Sequence, residues 1–282
     1  MAVRVVTDSA CDLTDEEAAA LGVEVVPLTI RFGADEYVDR KDLSPAEFYA
    51  KLAAADVLPE TAAPSPGAFE AAFRSALDGG AEAVVCINIS SGLSATMQSA
   101  QNAARALEGH DIRLVDSRSI TWGLGSQVVA AAEAARDGRD AAEIVALVEG
   151  MVPRTRVYGA LDTLDNLRKG GRIGGAQAMI GSLLSIKPLI DISTGVVEEA
   201  GKPRTRSKAL KALVEKVAEQ PQGVERLGLM HGNAPDELDQ VLDMLAEHHP
   251  RDQIHVGEIG ATIGVHGGAR VMGVTFQVPS GT

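Results

Sequence analysis

Four short stretches of this 282-residue chain carry side chains suited to binding or catalysis. Thr61 stands just before Pro64-Ser65-Pro66, so its hydroxyl is held against a stiff turn, and Ser65 followed by Pro66 marks a helix start. Ile89-Ser90-Ser91-Gly92-Leu93-Ser94 reads as a strand exit, a glycine turn and a helix entry. Helix N-termini present free amides and partial positive charge, which seat carboxylates or phosphates. Ordinary capping by Ser94 is the plainer reading, and both stand. Leu167-Arg168-Lys169-Gly170-Gly171-Arg172-Ile173-Gly174-Gly175 is the one basic, glycine-rich stretch. Arg172 there suits an anionic head group as a planar fork, or the stretch is a solvated interdomain turn. His266, set among Gly264, Gly267 and Gly268, can orient a hydroxyl or share a proton with a carboxylate.

Other chemistries fit poorly. No Gly-Lys-Ser/Thr ending follows the basic stretch, so it is not a Walker loop, and Gly123-Leu124-Gly125 lacks the third glycine of a dinucleotide fingerprint. Neither histidines nor cysteines have metal-type spacing, and His231, His248, His249 and His255 read as surface or capping residues. Cys86 lies in the apolar run 83–89 as a small core residue, while Cys11 falls in an expected loop. Two cysteines make no disulfide framework.

Positioning these groups requires a particular set of elements. Val3–Thr7, Ala83–Ile89 and Ile112–Val115 are short apolar strands, and Val23–Phe32 reads as another, followed by a Gly33-Ala34-Asp35 turn. Helices alternate with them. Thr14-Asp15-Glu16-Glu17 and Ser44-Pro45-Ala46-Glu47 are capping boxes, Ser65-Pro66 opens a helix that Gly79-Gly80 closes, and Ser94–Leu107 and the Ala-rich runs 122–136 and 140–148 follow. This alternation implies a mainly parallel sheet with helices on both faces, whose ligand crevice lies beyond the strand carboxyl ends. Asp8-Ser9, Ser90-Ser91 and Asp116-Ser117 would then share one rim.

After residue 150 the texture changes. Ile186–Ile192 and Val196–Glu199 flank a Ser193-Thr194-Gly195 hairpin turn, and strands at 157–161, 226–230, 254–259 and 270–278 are interleaved with helices at 207–218 and 236–247. The expectation is a two-domain α/β protein, with an N-terminal α/β domain at 1–153 and a C-terminal α/β domain at 154–282 built on a mixed or antiparallel sheet.

Composition narrows the class of partner. Lys and Arg number 26 and Asp and Glu 39, so 26 − 39 gives a net charge of −13, which repels nucleic-acid phosphates. Apolar residues at 45% and charged ones at 23% are an ordinary globular balance. The stretch Met1 to Asp8 shows no basic n-region followed by an apolar h-region, and no run approaches the roughly 20 apolar residues of a bilayer span, so the expected location is the cytoplasm.

Taken in order and spacing, the motifs resemble those of DegV-family proteins, the fatty-acid-binding subunits of bacterial fatty acid kinase systems. The likeness runs from Thr7-Asp8-Ser9 through Thr61 with Pro64-Ser65-Pro66-Gly67, Ser90-Ser91-Gly92-Leu93-Ser94, Val115-Asp116-Ser117, Leu167 to Gly174 and Ile186-Lys187-Pro188, to the C-terminal glycine cluster. Departures are local. Ala62-Ala63 stand where the family has two polar residues, Ala95 where glycine is common, and Gly267-Gly268-Ala269-Arg270 where the family favours Thr-Gly-Pro-Gly.

The resemblance implies one long-chain fatty acid, such as palmitate, stearate or oleate, buried between two domains, and no cofactor. It implies carboxylate-binding hydroxyls at Thr61 and Ser94, with Arg172 and His266 beside the head group. A separate ATP-dependent fatty acid kinase would phosphorylate the presented carboxylate for phospholipid metabolism, the binding subunit itself being no enzyme, and ligand exchange would involve transient membrane contact. Burying roughly 14–16 methylenes at about 0.8 kcal/mol each gains on the order of 11–13 kcal/mol before ordering costs. The apolar runs 23–30 and 180–190 are available to line such a tunnel. The alternative is a stand-alone α/β enzyme acting on a small phosphate- or carboxylate-bearing metabolite.

Overall fold

The computed structural model describes residues 2–280, the side chains of residues 180–185 excepted. Three sheets organise it. The first contains β1 (Val3–Asp8) and β2 (Glu24–Val26). A small antiparallel sheet follows, built from β3 (Thr29–Phe32), β4 (Asp35–Val38) and β5 (Glu60–Ala62) in the order β4-β3-β5. β6 (Ala83–Asn88) and β7 (Asp111–Asp116) complete the first sheet, which is parallel throughout in the order β2-β1-β6-β7. The third sheet holds β8 (Thr155–Ala160), β9 (Leu189–Asp191), β10 (Glu198–Gly201), β11 (Glu225–His231), β12 (His255–Glu258) and β13 (Met272–Gln277). Its order is β10-β9-β8-β13-β11-β12, antiparallel except for the β11–β12 pair, so it is mixed.

The helices are α1 (Asp15–Leu21), α2 (Pro45–Ala54), α3 (Pro66–Asp78), α4 (Thr96–Ala106), α5 (Thr121–Arg136), α6 (Ala141–Met151), α7 (Asp165–Lys169), α8 (Arg206–Ala218), α9 (Pro235–Ala246) and α10 (Ala261–Gly267). Both expected capping boxes form, at Thr14 with Glu17 and at Ser44 with Glu47, and Asp140 with Glu143 adds a third. Gly22 ends α1 in the left-handed region at φ 65°, where a side chain would be strained.

β6 shows how the parallel sheet is covered. Alternate side chains point to opposite faces. Val84 and Cys86 pack with Phe69 and Phe73 of α3 and Ala100 of α4, while Val85 and Ile87 pack with Ala131 of α5 and Ile144 of α6. The mixed sheet is covered differently. Met272, Val274 and Phe276 of β13 face α8 and α9, but the opposite face meets the first half of the chain. There a shared core joins Ile89, Val115 and Ile120 to Val157, Ile190 and Val271.

Three details differ from the sequence reading. The run 23–32 is two strands in two sheets, because Pro27 between them has no amide to continue a ladder. α4 begins at Thr96 rather than Ser94, and its N-cap Ala95 makes no side-chain cap bond. His266 lies in the last turn of α10, a helix that the sequence reading did not assign. Cys11 is in a short 3-10 turn, fully buried, with burial pushing its thiol up to about 12, so it is inert.

Candidate functional site

A cavity lies between the mixed sheet and the first half of the chain. Its lumen is about 290 Å³, and with its open mouth the space between the walls is about 1180 Å³. The wall is largely apolar, with Ile89, Ile120, Val157, Leu161, Ile190 and Val197 among the lining residues. Thr61, Ser94, Arg172 and His266 all line it too. Four segments far apart in sequence thus converge on one space.

Each polar group is held by its own element. Thr61 sits in β5, opposite Ile30 of β3, and the chain then turns at Pro64 into α3. Its hydroxyl lies 3.0 Å from Nε2 of His266. Ser94 sits in the turn before α4, where the amides of Leu93 and Ser94 donate to the Ser90 carbonyl. Its hydroxyl is 2.8 Å from that of Thr96 and accepts from the Thr96 amide at 3.3 Å. Arg172 follows α7 through Gly170 and Gly171. Its Nε donates to the Leu93 carbonyl at 3.2 Å and its Nη1 to the Gly170 carbonyl at 2.7 Å, which ties the basic stretch to the Ser94 turn. Leu167 and Arg172 of the basic stretch thus belong to the cavity wall, while Arg168, Lys169, Gly171, Gly174 and Gly175 are exposed to solvent.

The imidazole of His266 is neutral near pH 7. Burial, reinforced by the adjacent Arg172 charge, lowers its pKa from 6.5 to about 4. Its Nδ1 is buried without a hydrogen-bond partner. Gly170 makes room for the ring, since a Cβ there would lie 2.5 Å from Nδ1. α10 is held from the opposite end. Tyr49 Oη donates to the Ile259 carbonyl at 3.0 Å, the Gly260 amide donates to Asp12 Oδ1 at 3.0 Å, and Thr262 Oγ1 donates to Asp39 Oδ2 at 2.7 Å.

The expected polar rim is only partly available to a ligand. Asp8 accepts from the Ile89 and Ala10 amides and from Asn88, Ser90 donates to the Gly195 carbonyl, and Asp116 accepts from Ser91 and from the Arg118 amide. These groups stitch the loops together, leaving Ser94 to face the cavity. Of the run 23–30, Leu28 reaches the wall while Val26 and Ile30 are core. Of the run 180–190, Ile190 lines the cavity, and the side chains of 180–185 lie outside the described residues. Thr121, Thr262 and Thr275 also line it. None of these was marked in the sequence: Thr275 is a strand residue whose periodicity is the same whether it faces a cavity or a core, and Thr121 and Thr262 lie in first helical turns where a threonine is commonplace.

Two hydroxyls, a guanidinium and a neutral imidazole at one end of an apolar cavity suit a molecule with a single anionic head and a hydrocarbon body. Among the described residues no group of three or more His, Cys, Asp or Glu side chains is placed to hold a metal ion. Nor is any helix long and apolar enough to cross a membrane.

Comparison with known proteins shows the family. A family model described as "Uncharacterised protein, DegV family" matches residues 2–278. A DegV domain-containing protein of Deinococcus radiodurans is 38% identical over 280 residues, covering 98% of this chain and 99% of that protein. Among solved structures, a DegV family protein from Thermus thermophilus, described by its fatty acid binding, superposes with a TM-score of 0.92 at 32% identity, covering 99% of this chain and all of that one. DegV from Bacillus subtilis, described as a fatty acid binding protein, gives a TM-score of 0.89 at 29% identity with the same coverage. This chain belongs to the DegV family.

Proposed function

We propose that this protein binds a long-chain fatty acid in the cavity between its two domains and presents the carboxylate to a separate ATP-dependent kinase. The observation that carries the reading is the convergence of Thr61, Ser94, Arg172 and His266 on one apolar cavity. The fatty acid binding ascribed to the Thermus thermophilus and Bacillus subtilis relatives supports it. In this reading the hydrocarbon supplies affinity and the polar end sets orientation. His266 donates from Nε2 to Thr61, which frees the Thr61 hydrogen for one carboxylate oxygen, and Ser94 donates to the carboxylate as well. Arg172 contributes positive charge beside them. Because two alcohols rather than a closed ion pair hold the head group, a carboxylate oxygen stays reachable. It attacks the γ-phosphorus of ATP on the kinase, giving an acyl phosphate and ADP.

Denaturing extraction of the purified protein followed by mass spectrometry tests the binding step. A co-purifying C16–C18 fatty acid is expected, and protein with no lipid and no affinity for added oleate overturns it. Incubating the loaded protein with ATP, with and without a fatty acid kinase, tests presentation. ATP consumption by the protein alone would overturn the division of labour. Thermal stabilisation by sugar phosphates and not by oleate would favour an enzyme of small metabolites instead.

A further inference from the structure

The hydroxyls that line the cavity differ in one respect. Thr61 is bonded to His266, Ser94 to Thr96 and Thr262 to Asp39. Thr275 is fully buried, and its hydroxyl has no hydrogen-bond partner. Side chains alternate along β13, so with Met272, Val274 and Phe276 in the core under α8 and α9, Thr275 shares the cavity face with Gly273 and the preceding Val271.

Above Thr275 lies the start of α5. Thr275 is in register with Val157 of β8 on one side and Gly228 of β11 on the other. A Cβ on Gly123 would come within 2.7 Å of Val157, and one on Gly228 within 2.1 Å of the Trp122 ring. The first turn of α5 therefore rests on both strands that flank Thr275. That turn has no side-chain cap, and it reaches the cavity wall at Ile120 and Thr121. The Thr121 hydroxyl is turned away to the Asp12 carboxylate, where its hydrogen bond favours the charged form, so the free groups of this turn are its backbone amides. A pure hydrocarbon chain offers neither the Thr275 hydroxyl nor these amides a partner, whereas an alcohol both donates and accepts.

The place along the chain follows from strand geometry. Val271 packs against Gly267, next to His266, with only 3.3 Å left for a Cβ on Gly267. Thr275 lies four residues further, about 13 Å at ~3.3 Å per residue. An extended acyl chain advances about 1.25 Å per carbon, from bonds of ~1.5 Å at ~111°, so the distance spans about ten carbons.

We propose that the ligand this tunnel fits best is a long-chain fatty acid bearing a hydroxyl near its tenth carbon, held between Thr275 and the uncapped first turn of α5. The inference rests on the acyl-binding reading above and goes beyond it by naming a mid-chain polar group.

The test is displacement of a fluorescent fatty acid from the delipidated full chain by stearate, 10-hydroxystearate and 2-hydroxystearate. The wild type should bind 10-hydroxystearate about tenfold more tightly than stearate, with no such gain for the 2-hydroxy acid. Thr275→Val should retain stearate and bring the two affinities within about threefold, while Thr275→Ser keeps the preference. Equal or weaker binding of 10-hydroxystearate by the wild type overturns the inference, as does an unchanged ratio in Thr275→Val, and both leave fatty acid binding intact. Failure of every acid to displace the probe would overturn the acyl-binding reading and this inference together.

Discussion

The Thr61 hydroxyl and Nε2 of His266 lie 3.0 Å apart although 205 residues separate them in the chain. One arrives on an edge strand of the small antiparallel sheet, the other on the last turn of a short helix anchored through Asp12 and Asp39. The polar end of the cavity exists only when both halves of the chain are folded against each other.

Removing either anchoring hydroxyl should weaken binding while leaving the fold intact. If the carboxylate is held as proposed, Thr61→Val and Ser94→Ala each remove a hydrogen bond to a charged group, worth about 1.5–3 kcal/mol, or roughly ten- to a hundredfold in affinity. Fatty acid displacement reads the loss and thermal melting checks the fold. Unchanged affinity in both variants would take these hydroxyls out of the site.

Gly170 should matter through His266 alone. A Cβ there would sit 2.5 Å from Nδ1 and 2.9 Å from Cε1 of the ring, and 3.1 Å from the Asn166 carbonyl. Gly170→Ala therefore pushes the imidazole off Thr61, and affinity should fall about as far as in His266→Ala. In the His266→Ala background the ring is gone, and Gly170→Ala should cost little more. A double-mutant cycle on fatty acid affinity measures this, and strict additivity would show that the two residues act separately.

Much of this arrangement was legible in the sequence, and the gaps have physical causes. The parallel sheet could be read because its strands are continuous apolar runs punctuated by capping boxes such as Thr14 with Glu17. The small sheet could not. Pro27 interrupts an otherwise apolar run, and β5 is three residues long. α10 was hidden because Gly264 and Gly267 look like loop residues, yet Gly264 is required where Phe48 and the Tyr49 hydroxyl leave a Cβ under 3 Å. Thr61, Ser94, Arg172 and His266 stood out as polar groups near turns, and all four reach the cavity. The apolar wall carried no such mark, since Val157 or Ile190 would look the same in a closed core.

Stability should rise as the solution is acidified from about pH 8 toward 7. Burial raises Asp12 from 3.8 to about 7, despite the nearby Arg40 charge, and raises Asp8 from 3.8 to about 6. Asp39, also raised by burial, adds its charge to both. The folded chain thus takes up protons at a pH where the unfolded carboxylates remain ionised, so the burden of these buried charges is relieved on acidification. His231, His249, His255 and His266 act in the opposite sense below about pH 7, since burial lowers each from 6.5, His266 to about 4, and the unfolded chain then takes up the protons first. Asp12→Asn keeps an oxygen for the Gly260 amide and removes the titration. Denaturation midpoints should then depend less on pH between about 8 and 7 than in the wild type, and an unchanged slope would exclude Asp12 as a source.

Trp122 offers a spectroscopic check on how the halves dock. It is the only tryptophan in the chain. Its ring stacks on His255 of β12 with centroids 3.5 Å apart and planes 6° from parallel, and its Nε1 donates to the Arg226 carbonyl at 3.1 Å. Gly228 leaves no space beneath it, so Gly228→Ala must displace the indole, costing about 1–3 kcal/mol and shifting its emission to longer wavelength. Burial lowers His255 from its usual 6.5, partly offset by Glu17 at 3.7 Å, so the imidazole under the indole is neutral at pH 7. An imidazolium quenches a stacked indole. Emission of the wild type should therefore fall only below pH 6.5, whereas His255→Ala should show no such fall and lose about 0.5–1.5 kcal/mol of stability with the stack. Wild-type emission that ignores pH down to the onset of unfolding would mean that the two rings are not in contact.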